Sequence, residues 1–273
     1  MVPRDGAGAS RGLVQVEQPW TDAGMARLYD AFQYDADLPW YLELAAAQGG
    51  RVLELACGSG RVLLPLARAG HEVVGLDSSP HMLALAREQL DAEEPAVAGR
   101  VRLQQGDMRE FQLGQTFELA IIAARSFAYL LTRADQQHAL AAVAAHLRPG
   151  GLLALDLLNP PPAWLLAPPG SLHQDVVQYD AARRVTIART EAVVSTDLAT
   201  QVRVIRSGYE LVADDGSVTK RFVEWPYRWT YRFEAEHLLE RAGFEIAGVY
   251  GGHQREPFIS ESKWLVLLGR RQT

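Results

Sequence analysis

The sequence predicts an α/β protein: a largely parallel β-sheet covered by helices, interrupted late in the chain by an antiparallel β insertion. Three observations carry this. Between residues 51 and 158, short apolar runs alternate with helical stretches, the βαβ signature of a parallel sheet. The run Val52-Leu53-Glu54-Leu55-Ala56-Cys57-Gly58-Ser59-Gly60 reads as a buried strand ending in a glycine-rich turn, where backbone N–H groups can approach a ligand without a Cβ in the way. Residues 172–232 instead alternate β-branched and polar positions, as antiparallel strands with one packed face do.

The elements follow in order. Residues 1–18 are expected to be a disordered tail; Met1 to Gly12 is rich in Gly, Ala and Arg and lacks the apolar stretch of a signal peptide. Residues 19–47 are aromatic and amphipathic, with Pro39 expected to separate two short helices. Strands are expected at 51–56, 72–76, 101–105, 118–124 and 151–157, and helices at 61–69, 80–92 and 134–147. The last of these helices stops at Leu147-Arg148-Pro149-Gly150-Gly151. Pro160, Pro161, Pro162, Pro168 and Pro169 then end regular structure and lead into about four antiparallel strands, with a turn at Asp214-Asp215-Gly216-Ser217. A helix at 234–242, closed by Gly243, precedes strands at 244–250 and 263–269. The expected division is a core of 19–160 and 233–273 around an insertion of 161–232.

Composition narrows the function. The 273 residues suffice for one large domain with an insertion, and 48% hydrophobic with 22% charged content is that of a soluble globular protein. A net charge of −6 argues against a broad nucleic-acid footprint. The stretch 176–232 has a surplus of only two positive charges, weak support for RNA. The lone cysteine, Cys57, excludes an intrachain disulfide and reads as a small packed residue in the turn. No segment has the roughly 18 apolar residues that span a bilayer, so a cytoplasmic protein without membrane association is expected.

A dinucleotide fingerprint needs a third glycine, and Leu63 stands in its place. With Glu54 ahead of the glycines, E-x-x-C-G-S-G resembles the first motif of the class I S-adenosylmethionine-dependent methyltransferases. The resemblance continues in His71 to Asp77, a strand ending in an acid; in Ser78-Ser79-Pro80-His81-Met82-Leu83, opening a helix; in Gly106-Asp107-Met108 after the third strand; and in the L-x-P-G-G run. It implies a Rossmann-like seven-stranded mixed sheet, last strand antiparallel, with helices on both faces and a cofactor, S-adenosyl-L-methionine.

The resemblance also implies roles. Gly58 and Gly60 admit the methionine part of the cofactor, and Glu54 supplies opposite charge to its sulfonium and ammonium. Asp77, with Ser78 beside it, accepts from the ribose hydroxyls, its alternative being an N-cap. Met82 packs on the adenine, Asp107 accepts its amino group with Met108 adjacent, and Ala124 lines the corner facing cofactor and acceptor. Tyr29 and Tyr41 resemble tyrosines that close over the cofactor carboxylate, with plain packing as the alternative. Arg125 is a candidate for an acidic acceptor group, its alternative being a surface or structural arginine. Trp229 and Tyr231, in the alternating run with Trp225 and Tyr227, are candidates for an aromatic acceptor wall. Tyr129, Glu224 and His253 are the candidate general bases, a solvated loop residue being the alternative for His253. No histidine has metal-ligand spacing, so no metal site is expected. Asn159-Pro160-Pro161 follows the fifth strand rather than the fourth and reads as a helix-blocking loop.

The expected activity is methyl transfer from S-adenosylmethionine to an N or O atom of a small molecule by in-line displacement. The alternatives are an RNA-base methyltransferase, a non-catalytic cofactor-binding or scaffold protein, and a nucleotide-linked oxidoreductase. The insertion is expected to act as lid, acceptor layer or homodimer interface.

Overall fold

The structure, a computed structural model, describes residues 20, 22–32, 34–181 and 183–272. The expected N-terminal tail lies outside the described residues. Two helices come first, α1 (Ala23–Asp30) and α2 (Leu38–Gln48). Asp22 caps α1 through the N–H groups of Gly24 and Met25, at 2.8 and 3.0 Å. Pro39 does not separate the helices. It sits in the first turn of α2, where a missing N–H costs nothing.

The core then runs β1 (Val52–Leu55), α3 (Leu63–Arg68), β2 (Val73–Asp77), α4 (Pro80–Asp91), α5 (Pro95–Ala98), β3 (Val101–Gln105), β4 (Phe117–Ile122), a 3₁₀ turn (Ser126–Tyr129), α6 (Arg133–His146) and β5 (Leu147–Leu158). The fifth strand begins earlier than expected, because the Pro-Gly-Gly segment pairs irregularly beside Phe117 instead of standing free. After α7 (Pro162–Leu165) come β6 (Leu172–Asp180), β7 (Val185–Asp197), β8 (Val202–Ala213) and β9 (Val218–Arg228), then α8 (Arg232–Arg241), β10 (Phe244–Tyr250) and β11 (Trp264–Arg271).

The main sheet has seven strands in the order β10-β11-β5-β4-β1-β2-β3, with β11 antiparallel to both neighbours. Strand order reverses between β1 and β4, and open α/β sheets bind ligands beyond the carboxyl ends at such a point. Period-two alternation feeds a core on each face. Leu53, Leu55, Ala120, Ile122, Leu153 and Leu155 pack with α6 and α8. Val52, Leu119, Ile121, Leu152 and Ala154 pack with α2 and α3. By the same alternation Glu54 and Asp156 belong to this second face, where an aliphatic residue would be expected; they are 3% and 1% exposed.

The strands β6 to β9 form a separate antiparallel meander. Pro226 is tolerated because β9 is an edge strand. Helix α1 is the seam between the sheets. Met25 and Leu28 join Ile187, Tyr209 and Val223 of the insertion, while Ala26 packs on Met82 and Leu85 of α4.

Close packing beneath the glycine turn sets one prediction. A Cβ at Gly75, in the middle of β2, would lie 2.4 Å from Leu63 and 2.8 Å from the Cys57 sulfur. Gly75→Ala is therefore expected to destabilise the protein by about 1–3 kcal/mol through overpacking, read as a lower denaturation midpoint in urea.

Candidate active site

A cavity of about 430 Å³ opens where β1 and β4 end, with the core as floor, α1 at one side and the insertion as wall. Its backbone is strained. Ala56, after β1, and Ala124 and Arg125, after β4, have φ of 53°, 54° and 61°. Non-glycine residues in this region mark places that the surroundings over-determine, and these concentrate at functional sites.

The glycine turn is fixed from behind. Gly58 adopts φ 57° and Gly60 φ 95°. The Gly58 N–H donates to Asp77 Oδ2 at 2.8 Å, and Asp77 Oδ1 accepts from the Ser79 N–H at 2.8 Å. Asp77 thus ties the turn to β2, each oxygen keeping a second lone pair. Met82 covers the turn closely: a Cβ on Gly58 would stand 3.1 Å from its methyl carbon. The Ser59 hydroxyl donates to Asp30 at the end of α1.

Glu54 sits beneath the turn, and its Oε2 is buried without a hydrogen-bond partner. Burial pushes its carboxyl up to about 8; Asp77 and Asp37 add to the rise, while Arg61 and the Leu63 N–H oppose it. Arg61 grips Asp37 with both terminal nitrogens, at 2.5 and 2.8 Å, and donates to the Tyr34 carbonyl. Burial works against the Arg61 charge, but Asp37 and Glu54 hold it above its ordinary range.

Asp156, at the end of β5, organises the opposite corner. Its Oδ1 accepts from the Arg125 N–H at 2.6 Å; its Oδ2 accepts from the Ala124 N–H at 3.1 Å and from the Tyr41 hydroxyl at 3.2 Å. His253 Nε2 stands 3.4 Å from the same Oδ2. Asp37, Asp156 and His253 thus converge, a grouping invisible to sequence spacing. Both acids already have protein donors.

Of the residues expected at the site, Tyr29, Glu54, Gly58, Met82, Ala124, Arg125 and Tyr129 line the cavity. Gly60, Asp77, Ser78, Asp107 and Met108 do not. Asp107 pairs with Arg109, which also holds Asp135, and Met108 packs on the core. Other expectations need correction. His253 is no solvated loop base: it is 8% exposed, enclosed by the rings of Trp40, Tyr41 and Trp264. Glu224 faces away from Trp225 along β9 and pairs with Arg206. Burial raises the Tyr129 phenol well above its ordinary value, against a role as phenolate base. Trp229 is buried and Tyr231 caps α8, both past the end of β9, so only Trp225 and Tyr227 of the aromatic run reach the cavity. Tyr41 lies behind the cavity, spent on Asp156. Burial likewise raises the Cys57 thiol, which is packed rather than reactive. Asn159 is absorbed in structure, its amide donating to the Ser262 carbonyl at 2.7 Å.

Sequence reasoning missed Asp156, Arg61, Trp164, Arg189 and Glu191 at this cavity. The signal for Asp156 was present: an acid inside the buried run Leu152 to Leu158, as Glu54 is inside its own.

The Glu54 shift has a measurable sign. Folded Glu54 keeps its proton up to about pH 8, whereas an ordinary glutamate releases it near 4.5. Between those values the folded state binds more protons, so this group's contribution to stability falls as pH rises. Glu54→Gln is expected to remove that slope and to exceed wild type at pH 8 by on the order of 3 kcal/mol, measured by urea unfolding of the ligand-free protein across pH 5–8.

Comparison with known proteins agrees with this geometry. Residues 52–151 match the family model described as a methyltransferase domain. A dTDP-3-amino-3,4,6-trideoxy-alpha-D-glucopyranose N,N-dimethyltransferase of Streptomyces venezuelae is 31% identical over 209 residues, 75% of this chain and 79% of that protein. A cypemycin N-terminal methyltransferase of a Streptomyces species is 26% identical over 237 residues, 85% and 88% of the two chains. The CcbJ methyltransferase of Streptomyces caelestis superposes with a TM-score of 0.76 at 26% identity, covering 93% of this chain and 98% of that one. The strand order, the glycine turn and this similarity together show that the chain belongs to the class I S-adenosylmethionine-dependent methyltransferases.

Proposed function

We propose that the protein transfers the methyl group of S-adenosylmethionine to an amine nitrogen of a small molecule. The observation that carries this is the cavity wall, which combines carboxylates with aromatic faces. Glu191, Asp30 and Asp156 line the same space as Trp164, Trp225, Tyr227 and Tyr129. The ring faces suit the cationic product, and of the three arginines in the same space Arg61 is countered by Asp37. The two relatives described above, which match 85% and 75% of this chain, are by their names an N-terminal and an N,N-dimethyl transferase, whereas two O-methyltransferases among the relatives match 24% and 44% of it.

The residues present fit the cofactor. Glu54 Oε2 is a buried acceptor with no protein partner, suited to an ammonium. The left-handed Gly58 leaves backbone open beneath Met82, where a Cβ would intrude. S-adenosylmethionine would supply a methyl group activated by its sulfonium, the N–C bond forming as the C–S bond breaks and S-adenosylhomocysteine leaves. The chain's part is to align and to exclude water. Trp20 packs edge-on against Tyr29 and Tyr129, at 5.8 and 4.7 Å between centroids, and helps to close the cavity on the α1 side. Tyr129 continues onto Trp225 at 5.7 Å, so the rings form a continuous wall from core to insertion. The insertion acts here as acceptor layer. An amine that arrives neutral needs no dedicated base, because the proton it sheds after transfer can leave with solvent.

The test is incubation with S-adenosylmethionine and a panel of amino-sugars, peptides with free N-termini, and phenols, read by mass spectrometry. Mass gain confined to the amines is expected. Gain confined to the phenols, with the cofactor demonstrably bound, would overturn the reading. Glu54→Gln is expected to weaken cofactor binding about tenfold or more, roughly 1.4 kcal/mol, by calorimetry at pH 7. Trp225→Ala is expected to raise the acceptor KM about tenfold with S-adenosylhomocysteine affinity unchanged within about twofold.

A further inference from the structure

The arginines that line the cavity are not equivalent. Arg61 is gripped by Asp37 through both terminal nitrogens. Arg189 lies 4.9 Å over the Phe32 ring and hydrogen-bonds Tyr209. Arg125 has neither carboxylate nor carbonyl for its guanidinium among the described residues. Its guanidinium lies over the Trp264 ring, 5.1 Å below, and its charge is felt by the Tyr129 and Tyr227 phenols. An arginine laid on an indole keeps its edge N–H donors free in a planar fork, the geometry that captures a carboxylate or phosphate with two bonds.

The backbone at this position sharpens the point. Arg125 follows Ala124 in a second successive left-handed conformation, φ 61° after 54°. Glycine would adopt it without steric cost, whereas a residue with a Cβ is strained there. The strain is held by Asp156, 1% exposed, which takes the two successive N–H groups on its two oxygens at 2.6 and 3.1 Å. A buried carboxylate thus fixes a strained backbone so that an arginine, and not a glycine, stands at the cavity. The side chain is exposed, so packing does not account for it.

We propose that Arg125 binds an anionic group, a carboxylate or a phosphate, on the methyl acceptor, which is therefore an amine that also carries negative charge. This rests on the cavity's being the acceptor site. It divides recognition between two regions: the aromatic and acidic wall takes the amine, and Arg125 on Trp264 takes the anion.

The test uses the full chain saturated with S-adenosylhomocysteine, titrated with inorganic pyrophosphate and, in a separate arm, acetate. The readout is the indole N–H resonance of Trp264, assigned with Trp264→Phe. Saturable movement of that resonance is expected, and the tighter probe tells whether phosphate or carboxylate is preferred. Arg125→Gly is expected to weaken the probe at least tenfold while holding or raising Tm, since glycine relieves the left-handed strain. Arg125→Lys, with charge but no fork, falls between. S-adenosylhomocysteine affinity is expected to stay within twofold of wild type in both variants. Probe binding that is absent from wild type, or that survives Arg125→Gly, would overturn the proposal. So would a tenfold loss of S-adenosylhomocysteine affinity in Arg125→Gly with 5′-methylthioadenosine, which lacks the cofactor's carboxylate, binding as before; Arg125 would then serve the cofactor. Failure of the amine reading is seen separately, in the methylation panel.

Discussion

The cavity depends on one buried carboxylate. Asp156 stands at the end of β5, where the alternation of Leu152, Ala154 and Val266 on the α2 face calls for an aliphatic residue. Instead it gathers the end of β4 through two backbone N–H groups and helix α2 through Tyr41, with His253 of the 251–263 loop alongside. A buried carboxylate without partners would be prohibitively unfavourable; one with donors on both oxygens turns that desolvation into specificity of shape. The left-handed corner at 124–125, the buried Tyr41 hydroxyl and the seating of His253 among Trp40, Tyr41 and Trp264 all follow from satisfying it.

The second misplaced acid, Glu54, is handled in the opposite way. Asp156 has its protein donors, whereas Glu54 keeps one oxygen with none. The neighbouring charges are arranged so that this remains tolerable: Arg61 opposes the burial, but it is itself committed to Asp37. One acid therefore builds the site and the other waits in it. The two lie on the same face of adjacent parts of the sheet because β1 and β5 flank β4, and strand alternation brings both toward α2 and α3.

Much of this is legible in the sequence. The crossover core is, since apolar runs bounded by glycine turns admit few alternatives once the strands must pair in parallel. The expected strand 101–105 matches β3 to the residue, and the helix expected at 80–92 ends one residue sooner. The glycine turn and its acid are legible because backbone approach to a ligand demands particular residue types at particular places. What the sequence hides is whatever depends on distant partners. His253 looks like a solvated loop residue until Trp40 and Tyr41, far away along the chain, enclose it together with Trp264. Glu224 and Trp225 are neighbours, and only the pairing of β9 with β8 decides that Trp225 turns to the cavity while Glu224 meets Arg206. Trp229 and Tyr231 continue the alternation in sequence, but the strand that would give it meaning stops at Arg228.

The same alternation explains how the acceptor wall can be specialised without cost to the fold. A sheet presents every second side chain to one side. Arg189 and Glu191 of β7, Ile205 of β8, and Trp225 and Tyr227 of β9 are such alternate positions, and Ile205 stands directly opposite Trp225 across the pair. Val193, Ser207 and Val223 continue the same face into the insertion's own packing, Ser207 accepting from the Trp225 indole at 2.9 Å, while positions between them turn the other way, as Arg206 and Glu224 do in pairing with each other. Helix α1 then holds this wall against the core, with Met25 and Leu28 on one side and Ala26 on the other. The glycine turn and the buried acids Glu54, Asp77 and Asp156 stand at the ends of β1, β2 and β5. On the reading proposed above, the amine end of the acceptor meets a separate sheet, which α1, the Tyr129–Trp225 ring contact and the Arg228–Gln136 hydrogen bond join to the first. Substitutions at the inward positions of β7 to β9 can therefore change what is bound while leaving the glycine turn, Glu54 and Asp156 as they are.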